Sequence, residues 1–158
     1  MEAFKDIKVT VREEDGNTGL YEIAPLPRGY GHTLGNALRR ILYSSLEGSG
    51  ITAIKIKGAK HEYSTIDGVK EDLVSIILNL KQVKFKLDSD EPKKCKIEVK
   101  GKTEVKASDI EVEGGVTVAT PDVVIANLTD KSSELVLDLV VEKGVGYRDT
   151  KNLDRNSE

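Results

Sequence analysis

Residues 28–45 read RGYGHTLGNALRRILYSS. From Leu34 the apolar residues fall at 34, 37, 38, 41, 42 and 46, the spacing of one stripe along an α-helix. Thr33 is the predicted N-cap, and the glycines ahead of it let the chain turn sharply into the helix. EGSG at 47–50 is predicted to end the helix, with Gly48 or Gly50 taking a left-handed exit. At 100° per residue, Asn36, Arg40, Tyr43 and Glu47 group opposite the stripe, with Arg39 on its flank.

Two readings of that opposite face stay open. A charge on an outer helix face is ordinarily just solvated. A planar donor, an amide and an aromatic on one face also have the make-up of a protein-binding patch. The stripe itself demands cover: a helix of about thirteen residues is marginal alone in water, and each buried Leu or Ile contributes roughly 1.5 to 3 kcal/mol. One short hairpin offers little, so the first 47 residues read as under-built for a free domain, and a partner chain is the natural remedy.

Working outward, Ile7, Val9 and Val11 alternate with polar neighbours ahead of the turn-forming EEDGNTG, and the alternation resumes from Leu20 to Leu26. That predicts a hairpin, stopped by Pro25 and Pro27. Downstream, ITAIKI at 51–56 begins a strand. Val69, Leu73, Ile76, Ile77 and Leu80 predict a second helix, with Glu71 and Asp72 in its first turn and Lys81 near its end. From residue 92 the pattern is strand and turn: KKCKIEVKG, GGVTVATPDVVIANL and SELVLDLVVEKG.

Composition narrows the function classes. The 158 residues are 38% hydrophobic and 32% charged with only 4% aromatic, so the core must rest on Val, Ile and Leu. A net charge of −3 and the lack of a basic block argue against coating nucleic acid directly. Cys95 is the only cysteine, which leaves no disulfide framework or thiolate metal site and points to a reducing, cytoplasmic setting. No run of ~18 apolar residues is present to span a membrane.

The chemical readings find weak support, and a small nucleotide- or phosphate-handling enzyme rests only on the glycines near His32. Gly29, Gly31 and Gly35 miss G-x-G-x-x-G because Leu34 stands at the third position, and no G-K-[ST] follows. His32 and His61 are the only histidines, too few for a His/Cys metal cluster. His32 reads as a loop hydrogen-bonder just ahead of the helix. No nucleophile elbow or Cys–His pairing appears. No catalytic residue, cofactor or metal is expected.

RGYGHTLGNALRRILYSS, followed by HEYSTIDGVKEDLVSIILNLK at 61–81, closely resembles the N-terminal domain of the bacterial RNA polymerase alpha subunit, and the similarity continues through PDVVIANLT and EKGVGY. The resemblance implies an α+β fold of two subdomains. One is a hairpin-plus-helix dimerisation and assembly subdomain, present here as 1–47 and incomplete. The other is an inserted β-rich subdomain with one main helix, 48–144, ahead of a polar, disordered tail at 145–158. It also implies an assembly scaffold without catalytic residues, whose partners are the two large catalytic subunits and a second alpha chain.

By position, Arg40 resembles the residue the family uses to dock a large subunit, with Arg39, Asn36, His32 and Gly31 in the same motif; Tyr43 joins them from the patch described above. His61, Glu62, Ser64, Thr65, Gly68, Val69 and Glu71 resemble a second large-subunit contact region. Leu34, Leu38, Ile41, Leu42 and Leu46 would serve the helix core and the dimer side. The family's chain continues beyond GVGY to a second dimer helix and a DNA-binding domain, so promoter contact does not carry over and self-pairing is left open. The alternative is a truncated stand-alone module, or decoy, that binds polymerase subunits without completing assembly.

Overall fold

A computed structural model describes residues 6–16, 18–59, 61, 63–101 and 104–147. The chain divides into two compact units after Leu46.

The first unit is a hairpin and a helix. Strands β1 (Lys8–Asp15) and β2 (Thr18–Ala24) pair antiparallel, with an irregularity between Val11 and Glu13. Arg12 and Glu22 pair across the strands, with Nε donating at 2.6 Å. Helix α1 spans Tyr30–Ser44. It starts a full turn before the position expected from Thr33, which is therefore not the N-cap. Gly29 occupies that place with a left-handed φ of 80°, and no side chain caps the helix. The Tyr30 N–H donates to the Pro27 carbonyl at 3.0 Å, so the turn after the prolines already closes the first loop of helix. His32 consequently lies within the helix, not ahead of it.

The exit differs too. The Ser45 N–H donates to the Ile41 carbonyl at 2.9 Å and the helix ends there, without a glycine. Gly48 and Gly50 are instead part of strand β3 (Glu47–Ile56), and neither takes a positive φ. A long antiparallel neighbour decides this: β10 (Glu134–Val145) pairs with β3 as far as Val145 opposite Glu47. No described residue of the first unit is buried. Val9, Val11, Leu20, Leu38, Ile41, Leu42 and Leu46 all stand exposed.

The second unit holds the core. Helix α2 (Leu73–Leu80) and strands β4 (Phe85–Leu87), β5 (Lys93–Lys100), β6 (Glu104–Lys106), β7 (Ile110–Val112), β8 (Val116–Val118) and β9 (Val124–Asn127) complete it. Six strands form one antiparallel sheet in the order β7-β5-β10-β3-β4-β8, and β6 pairs with β9. Strand β10 alternates cleanly. Leu135, Leu137, Leu139 and Val141 are buried while Asp138 points out, as a strand with one covered face must. Leu73, Ile76 and Leu80 of α2 join the same apolar cluster, with Ile97, Val105 and Ile125.

α2 is shorter than its sequence pattern suggests. Val69 and Glu71 lie outside it: Val69 bridges to Leu128, and Asp72 is the N-cap, its carboxylate accepting the Ser75 N–H at 2.9 Å. Strands β6 and β7, joined by a 3-10 turn over Ala107–Asp109, fall between the three runs read from the sequence. Residues 148–158, most of the polar tail, lie outside the described residues.

Candidate functional site

Two surfaces follow from this architecture, one in each unit. In the first, α1 presents Gly31, His32, Asn36, Arg39, Arg40 and Tyr43, all exposed. Asn36, Arg40 and Tyr43 sit at helical spacings of four and three, which stacks them on one side. The Ser44 hydroxyl donates to the Arg40 carbonyl at 2.7 Å. Among the described residues the Arg40 guanidinium makes no ion pair, so its five donors are left to solvent or to a neighbour. Of the stripe, only Leu34 is half-buried; Leu38, Ile41, Leu42 and Leu46 are exposed on this helix and just after it.

In the second unit, the segment between β3 and α2 carries His61, Ser64, Thr65, Gly68, Val69 and Glu71; Glu62 lies outside the described residues. Local hydrogen bonds fold it. The Ser64 hydroxyl and N–H both donate to the His61 carbonyl, at 2.7 and 3.1 Å, and the Leu73 N–H donates to the Ser64 carbonyl at 3.3 Å. His61 and Thr65 face outward, whereas Val69 is buried in the core cluster.

Gly68 is fixed by its surroundings. Its φ is +79°, and a Cβ there would come within 2.8 Å of the Ser133 Cβ and overlap the Ser133 hydroxyl. That hydroxyl is buried and, among the described residues, has no hydrogen-bond partner. Asp130 orders the turn beneath: its Oδ1 accepts the Ser132 and Ser133 N–H groups at 2.7 and 3.0 Å. Lys57, Asp67, Gly68, Asp130, Ser132 and Glu134 line a recess of about 470 Å³ beside this turn, where Lys57 pairs with Glu134 at 2.9 Å.

Glu71 accepts from Asn127 twice, from the backbone N–H to Oε2 and from the side-chain amide to Oε1, both at 2.7 Å. Burial pushes its carboxyl up, but the two Asn127 donations outweigh that and hold it below the ordinary glutamate value. A carboxyl lowered on folding contributes stability above its unfolded pKa, and that contribution is lost as pH falls through the folded value. The half-exposed setting limits the expected contribution to about 1 kcal/mol at pH 7. Glu71→Gln should therefore lower the urea midpoint at neutral pH, and the gap from the parent should close as pH drops below about 4. A gap of constant size across that range would show that the carboxylate charge is not what Asn127 holds.

No role for Asn127, Leu128 or Ser133 is legible in the sequence. Their contacts with the 68–71 segment reach across some sixty positions, and no local periodicity carries such a pairing.

Among the described residues no His, Cys, Asp and Glu group could hold a metal. Cys95 is buried in β5, and burial pushes its thiol up, away from the reactive thiolate. No helix among the described residues is long and apolar enough to cross a membrane.

Comparison with known proteins gives concordant matches. Residues 54–158 match the family model described as RNA polymerase Rpb3/RpoA insert domain. The chain is 51% identical over 137 residues to the DNA-directed RNA polymerase subunit alpha of Rubrobacter xylanophilus, covering 87% of this chain and 44% of that one. It is 50% identical over 135 residues to the alpha subunit of Limosilactobacillus reuteri, covering 85% and 43%. The match to the Symbiobacterium thermophilum alpha subunit is 48% over 141 residues, 89% and 44%. The chain thus spans less than half the length of these relatives.

Proposed function

The chain belongs to the bacterial RNA polymerase alpha subunit family, and from that premise we propose that it acts as an assembly scaffold in the cytoplasm, docking the large catalytic subunits and pairing with a second alpha chain. Arg40, with Arg39, Asn36, His32, Gly31 and Tyr43, forms the docking face on α1. The exposed parts of 61–71 form the second contact region. Leu34, Leu38, Ile41, Leu42 and Leu46 supply the apolar side through which chains pair.

The observation that carries this reading is the condition of the first unit. It has a formed hairpin and helix and, among the described residues, no buried residue and no ion pair to Arg40. Apolar area of that kind is stabilised by burial against another chain.

The test is capture of the purified large catalytic subunits of a bacterial RNA polymerase by this chain, with and without Arg40→Ala. Truncating one partner of a buried, hydrogen-bonded charge pair costs about 2 to 5 kcal/mol, so affinity should fall roughly 30-fold or more. Equal capture by the variant would remove Arg40 from the interface, and no capture by the parent would sink the scaffold reading. Polymerase activity reconstituted with this chain would distinguish a scaffold from a decoy that only occupies the subunits.

A further inference from the structure

Segment 68–71 of the second contact region is held along its length by residues 127–129, the end of β9 and the two residues after it. The Thr129 N–H donates to the Gly68 carbonyl at 2.9 Å, Val69 bridges to Leu128, and the Lys70 N–H donates to the Asn127 carbonyl at 2.9 Å. Asn127 then clasps both oxygens of Glu71. Four consecutive residues are thereby laid alongside 127–129 like a short strand, although neither stretch continues as one there. Asn127 alone uses its N–H, its carbonyl and its side-chain amide on Lys70 and Glu71, more than the ladder geometry of β9 requires of its last residue.

We infer that Asn127 is a positioning residue for large-subunit docking: it sets the shape of segment 68–71, and Glu71 turns its carboxylate inward to Asn127 instead of offering it to a partner. The inference rests on the proposed role of 61–71 as a contact region. It also gives the acid at 71 a purpose: Oε1 and Oε2 both accept, which a carboxylate does and an amide does not. Val69 and Leu128 beside the clasp both belong to the apolar core cluster, so the exposed residues of the loop, His61, Tyr63, Thr65 and Asp67 among them, are carried on a fixed rung.

The test uses the full chain and the purified large catalytic subunits, with binding affinity and thermal midpoint measured on the same samples. Asn127→Asp sets a carboxylate against Glu71, and the affinity of the folded molecules should fall roughly ten-fold. Adding Glu71→Gln restores complementarity, because the Gln amide then donates to the new carboxylate while its carbonyl still accepts the backbone N–H. The double variant should recover most of the affinity. If Asn127→Asp does not fold, Glu71→Gln alone is read in the same way and should also weaken binding.

A purely structural Asn127 would lower the midpoint and leave the affinity of the folded molecules unchanged, and that result overturns the inference. Arg40→Ala is measured alongside. Loss of binding there, with Asn127→Asp and Glu71→Gln binding normally, refutes the positioning role and leaves the docking reading intact. A parent chain that does not bind removes both.

Discussion

Gly68→Ala is expected to destabilise the second unit by about 2 to 5 kcal/mol, read as a lowered urea midpoint. Two costs combine. A side chain at φ +79° sits in the left-handed region, at about 1 to 2 kcal/mol, and its Cβ meets Ser133, where overpacking costs a further 1 to 3 kcal/mol or so. Gly58 separates the two. Its φ is +86°, but a Cβ there meets nothing within 4 Å, so Gly58→Ala should show the conformational part alone, about 1 to 2 kcal/mol. In a Ser133→Gly background the steric part of the Gly68→Ala cost should largely vanish, giving clear non-additivity between these touching residues. A Gly68→Ala variant as stable as its parent would mean that the loop does not lie against Ser133.

Leu137→Ala should cost about 2 to 5 kcal/mol, because Leu137 has no exposed surface and sits between Ile56 and Ile97 at the centre of the six-stranded sheet. The matched control is Leu42→Ala. That leucine is 59% exposed on α1, and its truncation should shift the stability of the free chain by no more than about 0.5 kcal/mol. The pair contrasts an interior leucine with one awaiting cover. Similar losses at both positions would show that α1 is already packed in the free chain, and would remove the main support for a scaffold surface there.

Much of the fold was legible in the residues. The hairpin, the two helices and the strands β5 and β10 follow from two-residue and helical periodicities strong enough to need no tertiary help. The errors fall where a neighbour decides. EGSG looks like a helix terminator, yet the last residues of β10 draw it into β3. Val69 fits the stripe of α2, but its backbone is committed to Leu128 and the helix waits for the Asp72 cap. Thr33 has the chemistry of an N-cap, and a left-handed glycine four residues earlier starts the helix first. Strands β6 and β7, three residues each, are too short for alternation to register. As for the site, Arg40 and its neighbours could be placed on one face by helical arithmetic alone. The clasp from Asn127 could not, since it depends on a pairing between distant segments.

The hairpin and α1 form secondary structure without an interior, and this ties their fate to mass action. A segment whose leucines face water gains its free energy of ordering from whatever covers it, so its melting should track the concentration of assembled complex. Copies left over from assembly would display Leu38, Ile41, Leu42 and Leu46 to chaperones and proteases, the agents that triage exposed apolar surface in a cell. The residues proposed here to recruit neighbours would thus mark a surplus chain for removal.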